Sequence, residues 1–146
     1  MKRSEFRAWR FIHPDLDGRS DEGDSSAVGL RLSPRGGIDM ISDDSAIRQA
    51  VLMLLSTRPG ERLMRPDYGC NLHELMFAPN NDTTAAIAIY HVRRALQRFE
   101  PRVDIVHLDA GPDPDNPNCL LITLEYQVRT SRRRDEIQLA LNLVEV

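Results

Sequence analysis

The spacing of apolar residues along the chain predicts two long helices separated by a turn-rich loop. Each helix follows a short run of Ser, Asp, Asn or Thr residues that can cap it, and each carries one apolar stripe at helical intervals. The first stripe comprises Ile47, Val51, Leu54 and Leu55, and the second comprises Ala85, Ile89, Val92, Leu96 and Phe99. Because proline disfavours helical geometry in the residue before it, the second helix should end at Glu100, which precedes Pro101.

Alternation with a period of two predicts strands after the second helix. The first strand, Val103–Leu108, follows directly after the end of the helix. The second shows regular alternation over Leu120–Val128, and the final strand continues to Val146. In the final strand one face carries Ile137, Leu139, Leu141 and Leu143. We therefore predict an α+β domain in which two main helices pack on one face of a small antiparallel sheet. The sheet ends in a C-terminal three-strand meander with an exposed edge strand, formed either by 137–146 or by 120–129.

The N-terminal quarter of the chain has a different composition. Residues 15–26 form an acidic run rich in Gly and Ser, which indicates a flexible segment. Short strands are expected at 27–32 and 37–41. We predict an N-terminal extension over residues 1–36, partly flexible, and one folded domain over residues 37–146.

Composition excludes several classes of function. The 146-residue chain has a formal charge of −3, which offers no global attraction to nucleic acid, and it has no apolar run long enough to cross a membrane. No apolar leader follows the N-terminal residues, so synthesis in the cytoplasm is expected. The four histidines and two cysteines are scattered. We therefore predict no metal, no cofactor and no small-molecule substrate.

Two polar segments stand out, the loop 57–70 and the tripeptide 100–102. The loop combines prolines, glycines and charged residues, so its backbone course should be tightly specified, with Gly60 and Gly69 at positive φ. Its charged residues Glu61, Arg62 and Arg65 could equally shape the loop through internal ion pairs or contact a partner. Taken alone, the tripeptide is typical of a helix end with two solvated charges.

Taken together, these segments resemble the sheath-initiator family of baseplate wedge proteins. This family occurs in contractile phage tails, type VI secretion systems and extracellular contractile injection systems. The resemblance covers about residues 37–146, and the machine to which the chain would belong stays open among the three. It is carried, in order, by Thr57, Gly60, Glu61, Arg62, Arg65, Pro66, Tyr68, Gly69, Phe77, Glu100, Pro101 and Arg102.

The resemblance implies a structural role without catalytic residues. Family members sit six to a baseplate ring, hold wedge proteins and tube-proximal core proteins, and start polymerisation of the sheath. It implies wedge or core contacts through Glu100, Pro101, Arg102, Glu61, Arg62 and Arg65. Sheath contact would occur by strand exchange at the edge strand that carries Ile137, Leu139, Leu141 and Leu143. The finished protein would then reside in the baseplate of a phage-tail-like particle.

Two other classes of function compete with this interpretation. Because the family has carried a lysozyme-like label, a peptidoglycan-degrading enzyme is one alternative. Glycoside hydrolysis needs two carboxylates across a cleft, one with a raised pKa, whereas Glu61 and Glu100 have arginines next or near in sequence. A generic oligomeric adaptor without connection to a sheath is the other alternative.

Overall fold

The computed structural model describes residues 7–9, 11–12, 29–30, 34–37 and 40–144. The chain divides into two compact units, Met1–Met53 and Leu54–Val146, with the boundary inside the first helix. The acidic run at 15–26 lies outside the described residues. In the described part of the chain, no helix has both the length and the apolar character needed to cross a membrane.

The first unit contains four short strands in two antiparallel pairs, β1 with β4 and β2 with β3. The strands are β1 (Arg7–Trp9), β2 (Phe11–Ile12), β3 (Gly29–Leu30) and β4 (Met40–Ser42). β3 lies within the strand predicted at 27–32, and β4 overlaps the end of the strand predicted at 37–41. A turn at 34–37 contains Gly36 at a φ of +84°.

Both predicted helices are present. α1 spans Asp43–Ser56 and α2 spans Asp82–Phe99. The side-chain oxygen of Asn81 accepts a hydrogen bond from the Thr84 backbone N–H at 3.0 Å, which satisfies one of the unpaired donors at the start of α2. The predicted stripe of α1 is fully buried. In α2 the buried stripe is Ala85, Ala88, Val92, Ala95 and Leu96, whereas Ile89 and Phe99 are only half-buried.

The second unit is built on the predicted antiparallel meander. Its strands are β5 (Val103–Pro112), β6 (Cys119–Val128) and β7 (Arg134–Asn142), in the order β5-β6-β7. α2 packs against β5 and β6. The face of β6 that carries Leu120, Ile122, Leu124, Tyr126 and Val128 is buried. The α+β class and the C-terminal meander are therefore confirmed.

Pairing within the sheet removes one of the two predicted open edges. β6 is hydrogen-bonded to β5 on one side and to β7 on the other, so the prediction that 120–129 offers a free edge is wrong. Side-chain alternation reports which face of a strand is buried but not how many neighbours the strand has, and for this reason the sequence leaves both options open. β7 is an edge strand, as predicted, and ends at Asn142.

The loop between α1 and the next helical turn is closed by its own backbone. The Gly60 N–H donates to the Pro66 carbonyl at 2.8 Å, and the Cys70 N–H donates to the Thr57 carbonyl at 2.9 Å. The loop leads into a short 3₁₀ helix, Asn71–Leu75. Burial raises the pKa of the Cys70 thiol to about 11.

Gly69 lets the two ends of the loop approach closely. Its φ is +137°, and a Cβ placed on it would lie 2.6 Å from the Thr57 carbonyl oxygen and 2.8 Å from the Pro59 nitrogen. Both neighbours are backbone atoms, which cannot move aside as a flexible side chain can. Gly60 also has positive φ, at +91°, but a Cβ there would meet nothing within 4 Å. The prediction of positive φ at both glycines is confirmed.

We expect Gly69→Ala to lower the free energy of unfolding by more than about 2 kcal/mol, because it adds a backbone clash to an unfavourable φ. Gly60→Ala is the matched control, with an expected loss of about 1 kcal/mol from its φ alone. Urea denaturation followed by circular dichroism measures both values. Equal losses for the two variants would contradict the close approach at Gly69.

Candidate functional site

Glu100 and Arg102 form an ion pair at the C-terminal end of α2. The Glu100 N–H donates to the Leu96 carbonyl at 2.9 Å, so this residue closes the last turn of the helix. Its side chain is buried, and both carboxylate oxygens accept hydrogen bonds from Arg102, from Nε at 2.5 Å and from Nη2 at 2.8 Å. Two parallel bonds between a guanidinium and a carboxylate are both strong and directional. The exposed Pro101 separates the two partners in sequence.

The charge of Glu100 also affects Arg102 itself. The hydrogen bond to Glu100 raises the pKa of Arg102 above its ordinary value, although desolvation of the guanidinium acts in the opposite direction. The Arg102 carbonyl accepts a hydrogen bond from the Arg129 N–H at 2.9 Å, just beyond the end of β6. The pair is thereby tied to the sheet as well as to α2.

Tyr68 connects the loop with this ion pair. Its ring packs edge-on against Phe99, the last residue of α2, with ring centroids 5.3 Å apart. The Arg62 guanidinium lies over the Tyr68 ring, 4.3 Å from its centroid. Burial raises the pKa of the Tyr68 hydroxyl, the positive charge of Arg62 opposes this shift, and the Glu100 carboxylate adds to it. The loop and the end of α2 therefore share one electrostatic environment.

Two further arginines extend the contact between loop and helix. The Arg65 guanidinium lies 5.3 Å from the Tyr68 centroid and 5.9 Å from the Phe99 centroid. Arg98 lies 5.0 Å from the Phe99 centroid and pairs with Asp67 at 3.3 Å. We refer to the set listed here as the arginine–aromatic cluster: Arg62, Arg65, Tyr68, Arg98 and Phe99.

The structure brings together most of the residues singled out from sequence, but it gives them different tasks. Glu61 accepts a hydrogen bond from the Arg58 backbone N–H at 3.2 Å, which supports the loop-shaping interpretation for this residue. Arg62 and Arg65 are exposed and stack on aromatic rings. The fork of Arg102, expected to reach a partner, is bound to Glu100 within the chain.

Sequence reasoning missed two members of the cluster, Arg98 and Phe99. The helical period places Phe99 on the apolar stripe and Arg98 on the opposite side, so neither is marked as part of a site. Arg98 and Phe99 contact the loop only because residues 62–68 fold back onto the end of α2. This long-range arrangement is not visible in the local sequence pattern. The placement of an arginine beside an aromatic residue at the end of a helix, followed by Glu-Pro-Arg, is the signal that could have indicated them.

A second surface is the outer edge of β7. The Val128 N–H donates to the Arg133 carbonyl, and the Leu143 N–H donates to the Asn118 carbonyl, with an unshifted register between these two points. In an antiparallel ladder the backbone groups of alternate residues point to opposite sides. The odd-numbered residues of β7 therefore face β6, and the backbone groups of Gln138, Ala140 and Asn142 face outward.

The four apolar residues predicted to contact the sheath lie mainly inside the domain. Ile137 and Leu143 are buried, and Leu139 and Leu141 are half-buried and lie opposite Ile122 and Leu120. Leu143 also lies just beyond the end of β7. Any contact at this edge would therefore use the backbone, while these side chains hold the strand on the core.

The far end of the β7 edge lies away from the arginine-rich surface. β5 begins immediately after Arg102, opposite the end of β6 and the start of β7, whereas Leu143 follows the far end of β7. The nine residues of β7 span about 30 Å. The chain thus places an arginine-rich surface and the end of an open strand edge far enough apart to contact different molecules.

A groove of about 740 Å³ runs between the C-terminal half of α2 and β5. The carboxylates that line it are both bound by arginines, Glu100 by Arg102 and Asp104 by Arg129, whose Nε lies 2.8 Å from the Asp104 oxygen. Among the described residues, no group of three or more His, Cys, Asp or Glu side chains is arranged to hold a metal ion.

We expect Arg102→Ala to lower the free energy of unfolding by about 2–4 kcal/mol, because it leaves the buried Glu100 carboxylate without its counter-charge. The Arg102 side chain is 34% exposed, so the loss should fall below that of a fully buried pair. In the double variant with Glu100→Gln, about 1 kcal/mol or more of this loss should be recovered. Urea denaturation of both single variants and the double variant tests this, and strictly additive losses would contradict the coupling.

Known proteins share both the sequence and the fold of this chain. The family model for baseplate wedge protein gp25 matches residues 42–133. The baseplate wedge protein gp25 of Enterobacteria phage T4 is 26% identical over 83 residues, a match that covers 57% of this chain and 62% of the phage protein. The chain therefore matches less than two thirds of the length of that relative.

Solved structures of other proteins share the fold of this chain. A Geobacter sulfurreducens protein, provisionally described as a tail lysozyme, is 35% identical, with a TM-score of 0.62 over 68% of this chain and 89% of that protein. A chain of the anti-feeding prophage baseplate shares the fold, with 24% identity and a TM-score of 0.56 over 78% of this chain and 80% of its own length. The sequence, its helix–loop–helix–meander order and these matches agree, and the chain belongs to the baseplate wedge protein gp25 family.

Proposed function

We propose that this chain is a structural subunit of the baseplate of a contractile injection particle. It links wedge and core proteins to the first sheath ring and starts sheath polymerisation, with six copies in each baseplate. It is made in the cytoplasm and acts within the particle. Membership of the baseplate wedge family supports the general role, and the open edge of β7 is the single observation that carries the sheath contact.

The edge of β7 suits the addition of a partner strand. Gln138, Ala140 and Asn142 direct backbone groups outward, and no other strand among the described residues pairs with this side. An added strand would gain main-chain hydrogen bonds, and its alternate side chains would set the register. The buried Ile137 fixes β7 on the core, so the template is ordered before the partner arrives.

The other edge of the sheet is less suited to this task. The register of β5 against β6 shifts between Ile105 and His107, which leaves Val106 as a bulged residue, and β5 ends at Pro112, which has no N–H. Bulges and prolines are two devices by which proteins prevent strand addition at an edge. The proposal therefore assigns strand exchange to β7 rather than to β5.

In this proposal, wedge and core proteins contact the arginine-rich surface at the end of the sheet where β5 begins. Arg62 and Arg65 are exposed on a loop whose backbone is internally hydrogen-bonded, and Pro101 is exposed just after the end of α2. The buried Glu100 orients Arg102 through two hydrogen bonds. In the proposal Glu100 therefore positions the arginine and does not itself touch the partner. Glu61 supports the loop in the same indirect way.

The lysozyme alternative is less well supported by the geometry. A glycosidase needs one carboxyl group that can donate its proton to the leaving oxygen and a second that acts on the opposite face of the sugar. In the α2–β5 groove, Glu100 is buried with both oxygens bound by Arg102, and Asp104 is bound by Arg129. We therefore propose that the protein has no enzymatic activity.

Ala140→Pro should weaken binding of the sheath protein while leaving wedge binding unchanged. It removes an outward N–H and places a proline ring in the path of an added strand, without removing a bond to β6. Ala140→Ser is the matched control, because it alters the side chain and retains the N–H. Quantitative pull-down of the particle's purified sheath protein measures the effect, and full sheath binding by a folded Ala140→Pro variant would contradict strand exchange at β7.

The double variant Arg62→Ala/Arg65→Ala should reduce recovery of wedge proteins at least about tenfold, because charged and stacked arginines are frequent interface hot spots. Sheath binding should not change. Arg93→Ala/Arg94→Ala removes the same charge from exposed positions of α2 and should have little effect. If the wild-type chain recovers neither wedge nor sheath proteins from its native cells, the generic adaptor becomes the better description.

A further inference from the structure

The tip of the loop at 57–70 carries two apolar side chains that the described residues of the chain do not cover. Leu63 is 98% exposed and Met64 is 92% exposed, the highest values for large apolar residues among those the structure describes. They are adjacent, and they lie between Arg62 and Arg65. Single exposed apolar residues are common, but two together at the tip of an ordered loop indicate a contact surface.

The backbone of the tip is internally hydrogen-bonded although the tip is exposed. The Gly60–Pro66 hydrogen bond closes the base of the turn, and the Arg65 N–H donates to the Arg62 carbonyl at 3.3 Å across the tip itself. The guanidinium groups of these two arginines stack on Tyr68. Less backbone entropy would be lost when this tip binds than when an unbonded loop binds, which leaves more of the burial of two apolar side chains to contribute to affinity.

The charges around the tip define the partner's chemistry. Three arginines, Arg58, Arg62 and Arg65, are exposed in the loop. The carboxylates nearby are already engaged, Glu61 by the Arg58 backbone and Asp67 by Arg98. The rim of the apolar tip is therefore positive in character, and a complementary surface would place carboxylates around an apolar pocket.

A hollow next to the tip adds a second point of contact. It has a volume of about 410 Å³ and is lined by Met64, Arg65, Pro66, Asp67, Tyr68, Arg98 and Phe99. The Arg65 guanidinium and two aromatic rings at one hollow suit a side chain that carries a carboxylate on a short apolar stem, whereas Arg98 is already paired there with Asp67. A partner could thus receive the tip and insert one acidic residue beside it.

We infer that Leu63 and Met64 are the apolar anchors of the wedge contact. They enter an apolar pocket on another baseplate protein, and the rim of that pocket supplies carboxylates to Arg62 and Arg65. The hollow beside Met64 receives an Asp or Glu side chain of the same partner. This inference rests on the proposed function and identifies the residues that dominate its wedge contact.

Two other occupants suit this tip less well. In a symmetric contact with a second copy, the same arginines would face each other and repel. A bilayer would bury only two apolar side chains, far fewer than the apolar face of a membrane-surface helix, so the positive rim alone would have to hold the chain there. A protein partner with an acidic rim satisfies both the apolar and the charged parts of the surface.

Leu63→Ser/Met64→Ser tests the inference in the full-length chain. Both side chains are exposed, so the unfolding midpoint should stay at the wild-type value. Affinity for the purified wedge proteins of the same particle should fall at least about tenfold, while sheath binding is retained. Ile87→Ser/Val144→Ser is the matched control, because it removes two partly exposed apolar residues elsewhere.

The outcomes separate this inference from the proposed function. Suppose that the wild-type chain binds wedge proteins and that Arg62→Ala/Arg65→Ala weakens this binding. If Leu63→Ser/Met64→Ser then leaves the binding unchanged, the assignment of Leu63 and Met64 as anchors is wrong, while the proposed function stands. If the wild-type chain binds no wedge protein, the proposed function fails first.

A photo-crosslinking residue at position 63 identifies the occupant directly in assembled particles. A crosslink to an apolar segment flanked by Asp or Glu in a wedge protein supports the inference. A crosslink to a second copy of this chain overturns it. Binding of wild-type protein to anionic phospholipid vesicles that the Leu63→Ser/Met64→Ser variant loses also overturns it.

Discussion

The bidentate pair between Glu100 and Arg102 is the interaction on which the arrangement of the second unit depends. A buried carboxylate is costly unless a counter-charge and hydrogen bonds compensate it, and Arg102 supplies both. The pair lies where α2 ends and β5 begins, so it sets the direction in which the chain leaves the helix. The nearby Glu100 carboxylate also contributes to the raised pKa of Tyr68, whose ring packs on Phe99. One local interaction thereby joins the end of a helix to the start of a strand, next to the loop.

The arginine–aromatic cluster shows how a loop can present charge without mobility. Long arginine side chains lose much rotamer freedom when they bind, which weakens most surface contacts made by flexible residues. Here Arg62 and Arg65 already lie on the Tyr68 ring, and Gly69 allows the ends of the loop to approach to backbone contact. The entropy of ordering is thus lost during folding rather than during assembly. Such preorganisation suits a subunit that must join a large complex in one orientation.

The sheet separates two kinds of surface. At one end, side chains and charges dominate, and at the β7 edge the backbone dominates, because the apolar side chains of that strand hold it on the core. Side-chain surfaces discriminate among partners through shape and charge, whereas a backbone edge accepts any suitable extended segment and depends on register for specificity.

The sequence by itself determined the elements and their order. Helical and alternating periods located α1, α2 and the three strands of the meander, and the glycines and the Glu-Pro-Arg segment marked a loop and a helix end, because these signals depend on local backbone preference and on which face is buried. Only the tertiary structure decided that β6 lies between two neighbours, that Arg102 binds Glu100 within the chain, and that Phe99 and Arg98 meet the loop. It also decided that Leu63 and Met64 stay exposed. Strand neighbours, ion-pair partners and uncovered side chains depend on where distant segments meet in space, and no local period encodes those contacts.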